Sequence, residues 1–247
     1  MRALVYIEVK IVVEKLTEEE KEYYLLVRKA FTILAPFYDT VVAPFSGVRD
    51  RVVNFTSSQK GSKILDVATG TGQQAFAFAK KDCEVIGIDL SEAMIDVARK
   101  KNKFRNAKFE VADATNLPFE DNSFDISTIS FALHDMPLSI REKVLKEMVR
   151  VTRQEGIIII TDYDLPKNRI GKFLIYHFIA LFEAEYYKNF IKSDFEALLN
   201  KNRIEIIEKD TVLHGAGRIL KGRILEGRIL EGRILEGRIL KGINNKL

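Results

Sequence analysis

Residues 66 to 79, "DVATGTGQQAFAFA", put the Asp66 carboxylate four residues ahead of the first glycine of a Gly70-Thr-Gly72-Gln-Gln-Ala75 turn. Glycines at a strand-to-helix turn let backbone N–H groups approach a ligand that a side chain would hold away, and this spacing is one that nucleotide-binding turns use. The carboxylate bears on which nucleotide. A dinucleotide pyrophosphate is a dianion that seeks amides and a helix N-terminus, so Asp66 is poorly placed for it. S-adenosylmethionine carries an ammonium and a sulfonium, and a carboxylate beside the loop favours it. Asp89 follows Gly72 by 17 residues, where it can accept from the ribose hydroxyls of either ligand. Asp113 discriminates again: it can accept from an adenine amino group while the Ala114 N–H meets a ring nitrogen. Asp66, Asp89, Asp113 and Ser130 each end, or just pass, an apolar run.

His134, in "SFALHDMP", is the candidate base or orienting group where the methyl would emerge, because an imidazole accepts a proton near neutral pH. The plainer reading is a loop histidine, with Asp135 capping the helix that begins near Pro137. Asp162 would orient a substrate, or bind a metal if a second ligand stood near it; none is visible, so no metal is expected. The segment "GKFLIYHFIALFEAEYY" reads as a substrate lid whose Phe173, Tyr176, His177, Phe178 and Phe182 line an apolar pocket, or as an amphipathic helix on the sheet.

These residues need a scaffold that delivers strand ends to one place. Apolar runs at 63–68, 83–89, 107–113, 124–131 and 156–162 alternate with helical patterns at 72–81, 91–101 and 137–152, which argues for a parallel sheet with right-handed crossovers. Further helices are expected at 171–187 and 193–201 and a sixth strand at 203–210. "VLHGAGRILKG" then supplies a seventh, antiparallel strand. The fold class is α/β, a Rossmann-like, seven-stranded, mostly parallel sheet with helices on both faces. Upstream, period-two apolar residues over 3–13 predict a strand, Thr17 and three glutamates start a helix over 18–34, and prolines 36 and 44 interrupt the pattern between that helix and residue 55. The expected division is an N-terminal strand and helical cap over 1–55, a main domain over 56–221 with lid helices near 171–187, and a pentapeptide-repeat tail over 222–247. The tail's five-residue period gives neither a helix nor a strand one clean apolar face.

The chain has 247 residues, 47% of them apolar, and a net charge of +4. The tail from 217 onward holds eight Lys/Arg and three Asp/Glu, so the first 216 residues carry 31 basic and 32 acidic side chains. Nothing in that balance suggests a nucleic-acid partner. One cysteine, Cys83, excludes an internal disulfide and a cysteine metal cluster and fits a reducing, cytoplasmic setting. Glu8 and Lys10 interrupt the apolar start, and no run reaches the ~18 residues of a membrane span. The expected partner is a small molecule, with neither nucleic acid nor stable membrane insertion, and a homo-oligomer is left open.

"ILDVATGTG", "VIGIDLSEAM", "FEVADATNLPFEDNSFD" and "EMVRVTRQEGIIIITD", in this order and spacing, resemble the class I S-adenosylmethionine-dependent methyltransferases, and among these the branch of the ubiquinone and menaquinone C-methyltransferases. The resemblance covers about residues 30 to 165. It implies that Asp66, Gly70 and Gly72 serve the methionine end of the cofactor, Asp89 the ribose, and Asp113 with Ala114 the adenine. Leu90 and Met94 would pack near the adenosine, Tyr38 of "APFYD" would cover it, and Ala68 and Ser130 complete the implied cofactor set. "RQEG" departs from the usual Pro-Gly-Gly turn, Thr69 stands where Cys or Gly is common, and no substrate pattern is found beyond residue 165. The implied activity is methyl transfer to a small apolar or quinone-like acceptor, with His134 as the catalytic candidate. The alternatives are an NAD(P)-dependent oxidoreductase, whose Tyr-x-x-x-Lys spacing at Tyr163–Lys167 contains Pro166, and a non-catalytic S-adenosylmethionine-binding or assembly module.

Overall fold

A computed structural model describes residues 16–166 and 185–226, together with the backbone of 229–230 and 233–234. Each apolar run becomes a buried strand: β1 Lys63–Val67, β2 Glu84–Asp89, β3 Ala107–Val111, β4 Phe124–Ser130 and β5 Thr152–Tyr163. Helices Gln73–Ala79, Glu92–Lys101 and Leu138–Val151 come after β1, β2 and β4 and turn the chain back, so these five strands are parallel. Strands β6 Ile204–Val212 and β7 Gly217–Ile224 complete the order β3-β2-β1-β4-β5-β7-β6, with β7 antiparallel to both neighbours. The strand order reverses between β1 and β4. That is where a ligand crevice is expected in an open parallel sheet.

The elements differ from the expected ones in a few places. Residues Ser46–Thr56 form a helix, with Val48, Val52 and Val53 buried, where only an interrupted pattern was expected. Pro44 lies in the short 3-10 turn just before it and does not interrupt it. Strand β5 starts at Thr152 rather than 156, directly at the end of the preceding helix. The strand expected over 3–13 and most of the helix expected over 171–187 lie outside the described residues; Glu185–Lys192 is helical.

The helix Glu18–Leu34, α1, is the element that closes the sheet's carboxyl edge. Thr17 and Glu20 form a capping box, and Glu20, buried at 2% exposure, also accepts from Ser139 Oγ at 2.9 Å and Lys143 Nζ at 2.7 Å. One acidic side chain therefore caps α1 and pins it to the helix Leu138–Val151. Among the described residues no helix is long and apolar enough to cross a membrane.

The repeat "GRILKGRI" forms β7. Ile219 packs into the core on one face of the sheet, and Leu220 and Ile224 into the core on the other. The adjacent Ile-Leu pair, which gives an exposed strand no clean face, suits an inner strand covered on both sides. The strand extends into the second repeat, through Ile224, and Leu225 N–H donates to Arg203 O at 2.9 Å. A chain ending after Glu226 should therefore unfold at the same urea concentration as the full chain. One ending after Gly222 loses the strand pairings of Arg223 and Ile224 and the Leu225 bond as well as the burial of one isoleucine, and should be less stable by at least about 2 kcal/mol. Equal midpoints for the two truncations would show that Ile224 contributes nothing.

Candidate functional site

The turn after β1 takes its shape from residues that hold left-handed backbone angles: Ala68 at φ 52°, Gly70 at 55° and Gly72 at 81°. A Cβ on Gly72 would sit 2.8 Å from the Phe109 ring, so both its angle and its surroundings require glycine. Thr69 N–H donates to Ile88 O at 2.8 Å, which ties the turn to β2. Asp89 completes the tie: Gly70 N–H donates to its Oδ2 at 2.9 Å and Ser91 N–H to its Oδ1 at 2.8 Å. Burial of its carboxyl raises the Asp89 pKa, against the backbone amides that favour the charged form.

Asp66 lies one layer deeper, 1% exposed, and accepts from the Thr69 hydroxyl at 2.5 Å. Burial pushes its carboxyl up to about 7, with the Thr69 and Ala75 donors opposing and Asp89 adding to the rise. At the end of β3, Asp113 Oδ1 accepts from Thr115 N–H and Oγ1, each at 2.8 Å, while Oδ2 accepts from the Tyr24 hydroxyl of α1 at 2.8 Å.

Ala68 and Gly70 of the turn, Asp89 and Asp113 border a cavity of about 90 Å³. Nine of the expected residues line it: Tyr38, Ala68, Gly70, Asp89, Leu90, Met94, Asp113, Ala114 and Ser130. The Ser130 hydroxyl is buried and makes no hydrogen bond with the described residues. Asp66 and Gly72 stand behind the wall rather than in it. Helix α1 supplies a further wall of Tyr23, Tyr24, Val27 and Phe31, and beside Asp135 the lining becomes apolar, with Met136, Ile140 and Val144.

His134 does not sit where the sequence placed it. It lies in a 3-10 turn over Leu133–Asp135, 2% exposed, behind the cavity rather than on its rim. Its Nδ1 is 2.6 Å from Asp162 Oδ1, its backbone N–H donates to Asp162 Oδ2 at 3.2 Å, and the Tyr163 ring packs 4.6 Å from the imidazole. Asp162 is thus engaged by the histidine, and among the described residues no three potential ligands cluster around a metal position.

Two contributors escaped the sequence reading. Tyr24 meets Asp113 across 89 residues of chain. Asp39, beside Tyr38, accepts from the Thr71 hydroxyl at 2.6 Å and pairs with Lys101, clipping the segment after α1 onto the glycine turn. The Thr17 cap marks where α1 begins, but no local signal says which strand end it reaches.

The comparisons with known proteins agree with this architecture. A family model described as a methyltransferase domain matches residues 58–197. The demethylmenaquinone methyltransferase of Paenarthrobacter aurescens is 38% identical over 141 residues, 55% of this chain and 54% of that protein. That of Staphylococcus aureus is 40% identical over 128 residues, 50% and 52%. The chain thus spans about half the length of the curated relatives it matches. Among solved structures, a methyltransferase bound to its activator from Haloferax volcanii aligns with a TM-score of 0.66 at 16% identity, over 83% of this chain and all of that one. A SAM-dependent methyltransferase from Aquifex aeolicus aligns at 0.57 and 20% identity, over 72% and 89%. The structural likeness establishes the fold, and the family match over more than half of the chain establishes that it belongs to the methyltransferase domain family.

Proposed function

We propose that the chain transfers the methyl group of S-adenosylmethionine to a small, quinone-like acceptor. The observation that carries this reading is the pair of carboxylates Asp89 and Asp113, from adjacent strand ends, on the wall of one cavity that begins at the glycine turn. Their separation along the sheet suits a ribose and an adenine side by side. Asp89 would accept from the ribose hydroxyls, Asp113 and the Ala114 N–H would meet the adenine edge, and Leu90 and Met94 would pack on the adenosine. Gly70 leaves room for the methionine end beneath Tyr38, and Asp66 supplies the negative charge behind it. The Ser130 hydroxyl, without a partner among the described residues, offers a further contact. The relatives' names point to a naphthoquinone precursor, and the apolar end at Met136, Ile140 and Val144 suits such a ring. A reducing, cytoplasmic setting and a main domain that begins near residue 56 belong to the same reading.

S-adenosylmethionine, when bound, supplies a methyl on a sulfonium that is already activated. The protein's part is then to align the acceptor with the S–CH3 axis and to keep water out. Both fall to the walls described above: the strand ends fix the adenosine, and α1 covers it.

Titration calorimetry should give a dissociation constant for S-adenosylhomocysteine in about the micromolar range and weaker binding of NAD(H); the reverse order would return the chain to the oxidoreductase reading. Asp89→Asn should weaken S-adenosylhomocysteine binding by about 1.5 to 3 kcal/mol through lost charge-assisted hydrogen bonds, and unchanged affinity would take Asp89 out of the ribose site. Tyr24→Phe should bind the ligand about 3- to 10-fold more tightly, because the adenine no longer displaces a hydroxyl from Asp113; weaker binding would mean that the hydroxyl helps to hold the ligand. The ligand's ammonium favours ionised Asp66, whose carboxyl in the free protein keeps its proton up to about pH 7. Affinity should therefore rise about tenfold or more between pH 5.5 and 7.5 and level off above. The same titration on Asp66→Asn should be flat, and a parallel rise there would assign the effect to another group.

A further inference from the structure

The turn from Phe131 to Met136 is held from behind by two buried groups. Asp162, at the end of β5, takes the His134 backbone N–H and ring. Arg141, on the helix after the turn, donates to Leu133 O and Met136 O, each at 2.9 Å, and its burial lowers the guanidinium pKa to about 10. Neither group lines the cavity. What the turn presents there is Asp135, whose side chain stands in the wall next to Met136 at the apolar end.

The Asp135 Oδ2 is 3.5 Å from His134 Nε2. Asp162, His134 and Asp135 therefore form a line from the buried end of β5 to the cavity wall. With the Nδ1 proton assigned toward Asp162, Nε2 offers a lone pair toward Asp135. A proton arriving on the Asp135 carboxyl can then be shared with Nε2, and the resulting imidazolium is stabilised by the Asp162 carboxylate at 2.6 Å. Among the described residues, the other ionisable groups around this line are Arg141 from behind, Tyr163 and Tyr187 with their rings beside the imidazole, the Tyr23 hydroxyl of α1, and Asp89 and Asp113 on the same wall.

We propose that Asp135 is the catalytic residue that meets the acceptor's hydroxyl and takes its proton, with His134 and Asp162 as positioning residues that hold and share it. This rests on the methyl-transfer reading above. With a hydroquinone acceptor, the hydroxyl proton passes to Asp135, and the ring carbon next to the resulting oxyanion forms a bond to the methyl as the S–CH3 bond breaks, its electron pair staying on sulfur. The hydrogen on the methylated carbon then leaves to solvent as a proton, and Asp135 returns its own to the oxygen. One methyl is gained and one proton released.

The test uses the full chain, S-adenosylmethionine and a short-chain 2-alkyl-1,4-naphthohydroquinone kept reduced by dithionite. Asp135→Asn should bind S-adenosylhomocysteine within twofold of the unmodified protein and bind the naphthohydroquinone, measured by titration in the presence of S-adenosylhomocysteine, within threefold. Its kcat should fall by about 100-fold or more, the loss of a general base. Asp135→Ala should also weaken the naphthohydroquinone by about 3- to 10-fold, one lost hydrogen bond, and His134→Gln should lower kcat while leaving that affinity unchanged. Turnover by Asp135→Asn within threefold of the unmodified protein, or full naphthohydroquinone affinity in Asp135→Ala, would overturn the assignment alone. No transfer by an unmodified protein that binds S-adenosylhomocysteine would overturn the quinone reading and Asp135 with it.

Discussion

The carboxylate of Asp89 holds the site together. Its two oxygens accept one backbone N–H from the turn after β1 and one from the turn after β2, so two loops that share no covalent neighbour are fixed to a common point. Strand register makes this reach available, because Val67, the last residue of β1, pairs with Ile88, and Asp89 follows one residue further along β2, still paired with Val111 of β3, beside the turn that leaves β1. The left-handed angles of Ala68 and Gly70 turn the Gly70 amide toward the carboxylate. Charge-assisted hydrogen bonds of this kind offset part of the cost of keeping a carboxylate out of water, although burial still raises the Asp89 pKa.

Backbone strain lies on both sides of the point where strand order reverses. Ala68 after β1 has φ 52° and Phe131 after the adjacent β4 has φ 51°, both without the freedom of glycine. Each such residue costs about 1–3 kcal/mol unless its surroundings over-determine it. Here they do. Thr69 N–H holds the first turn to Ile88 O, and Phe131 N–H donates to Thr161 O at 2.8 Å while Asp162 and Arg141 brace the turn from Leu133 to Met136. The carboxyl groups of Asp66, Asp89, Asp113 and Asp162 gather at or just past strand ends beside these turns, and burial that disfavours ionised Asp66 and Asp89 is what a cationic ligand would oppose.

Much of this was legible in the sequence because it is local. Alternating apolar runs and helix starts placed the strands, and the strand ends then placed Asp89, Asp113 and Ser130 on one edge of the sheet. What escaped depends on contacts far apart in the chain. His134 was expected on the rim as a base, with a plain loop histidine as the alternative, and neither reading foresaw its burial because its partner Asp162 lies 28 positions later on another strand. Tyr24 carried no local sign of the strand end it reaches. The helix Ser46–Thr56 was obscured by a proline that lies before its first turn, and the first repeat unit was legible as the last strand while the run of β7 into the second unit, through Ile224, was not, because the five-residue period gives no single apolar face.

The most direct measurement is a crystal structure of the full chain with S-adenosylhomocysteine. The ribose hydroxyls should lie within hydrogen-bond distance of Asp89, and the adenine amino group should take the Asp113 oxygen that now accepts from Tyr24. The Tyr24 hydroxyl should be displaced, with the bonds from Gly70 and Ser91 to Asp89 unchanged. A ligand bound elsewhere, or an adenine that leaves the Tyr24–Asp113 bond intact and makes no contact with Asp113, would contradict the assignment of this cavity.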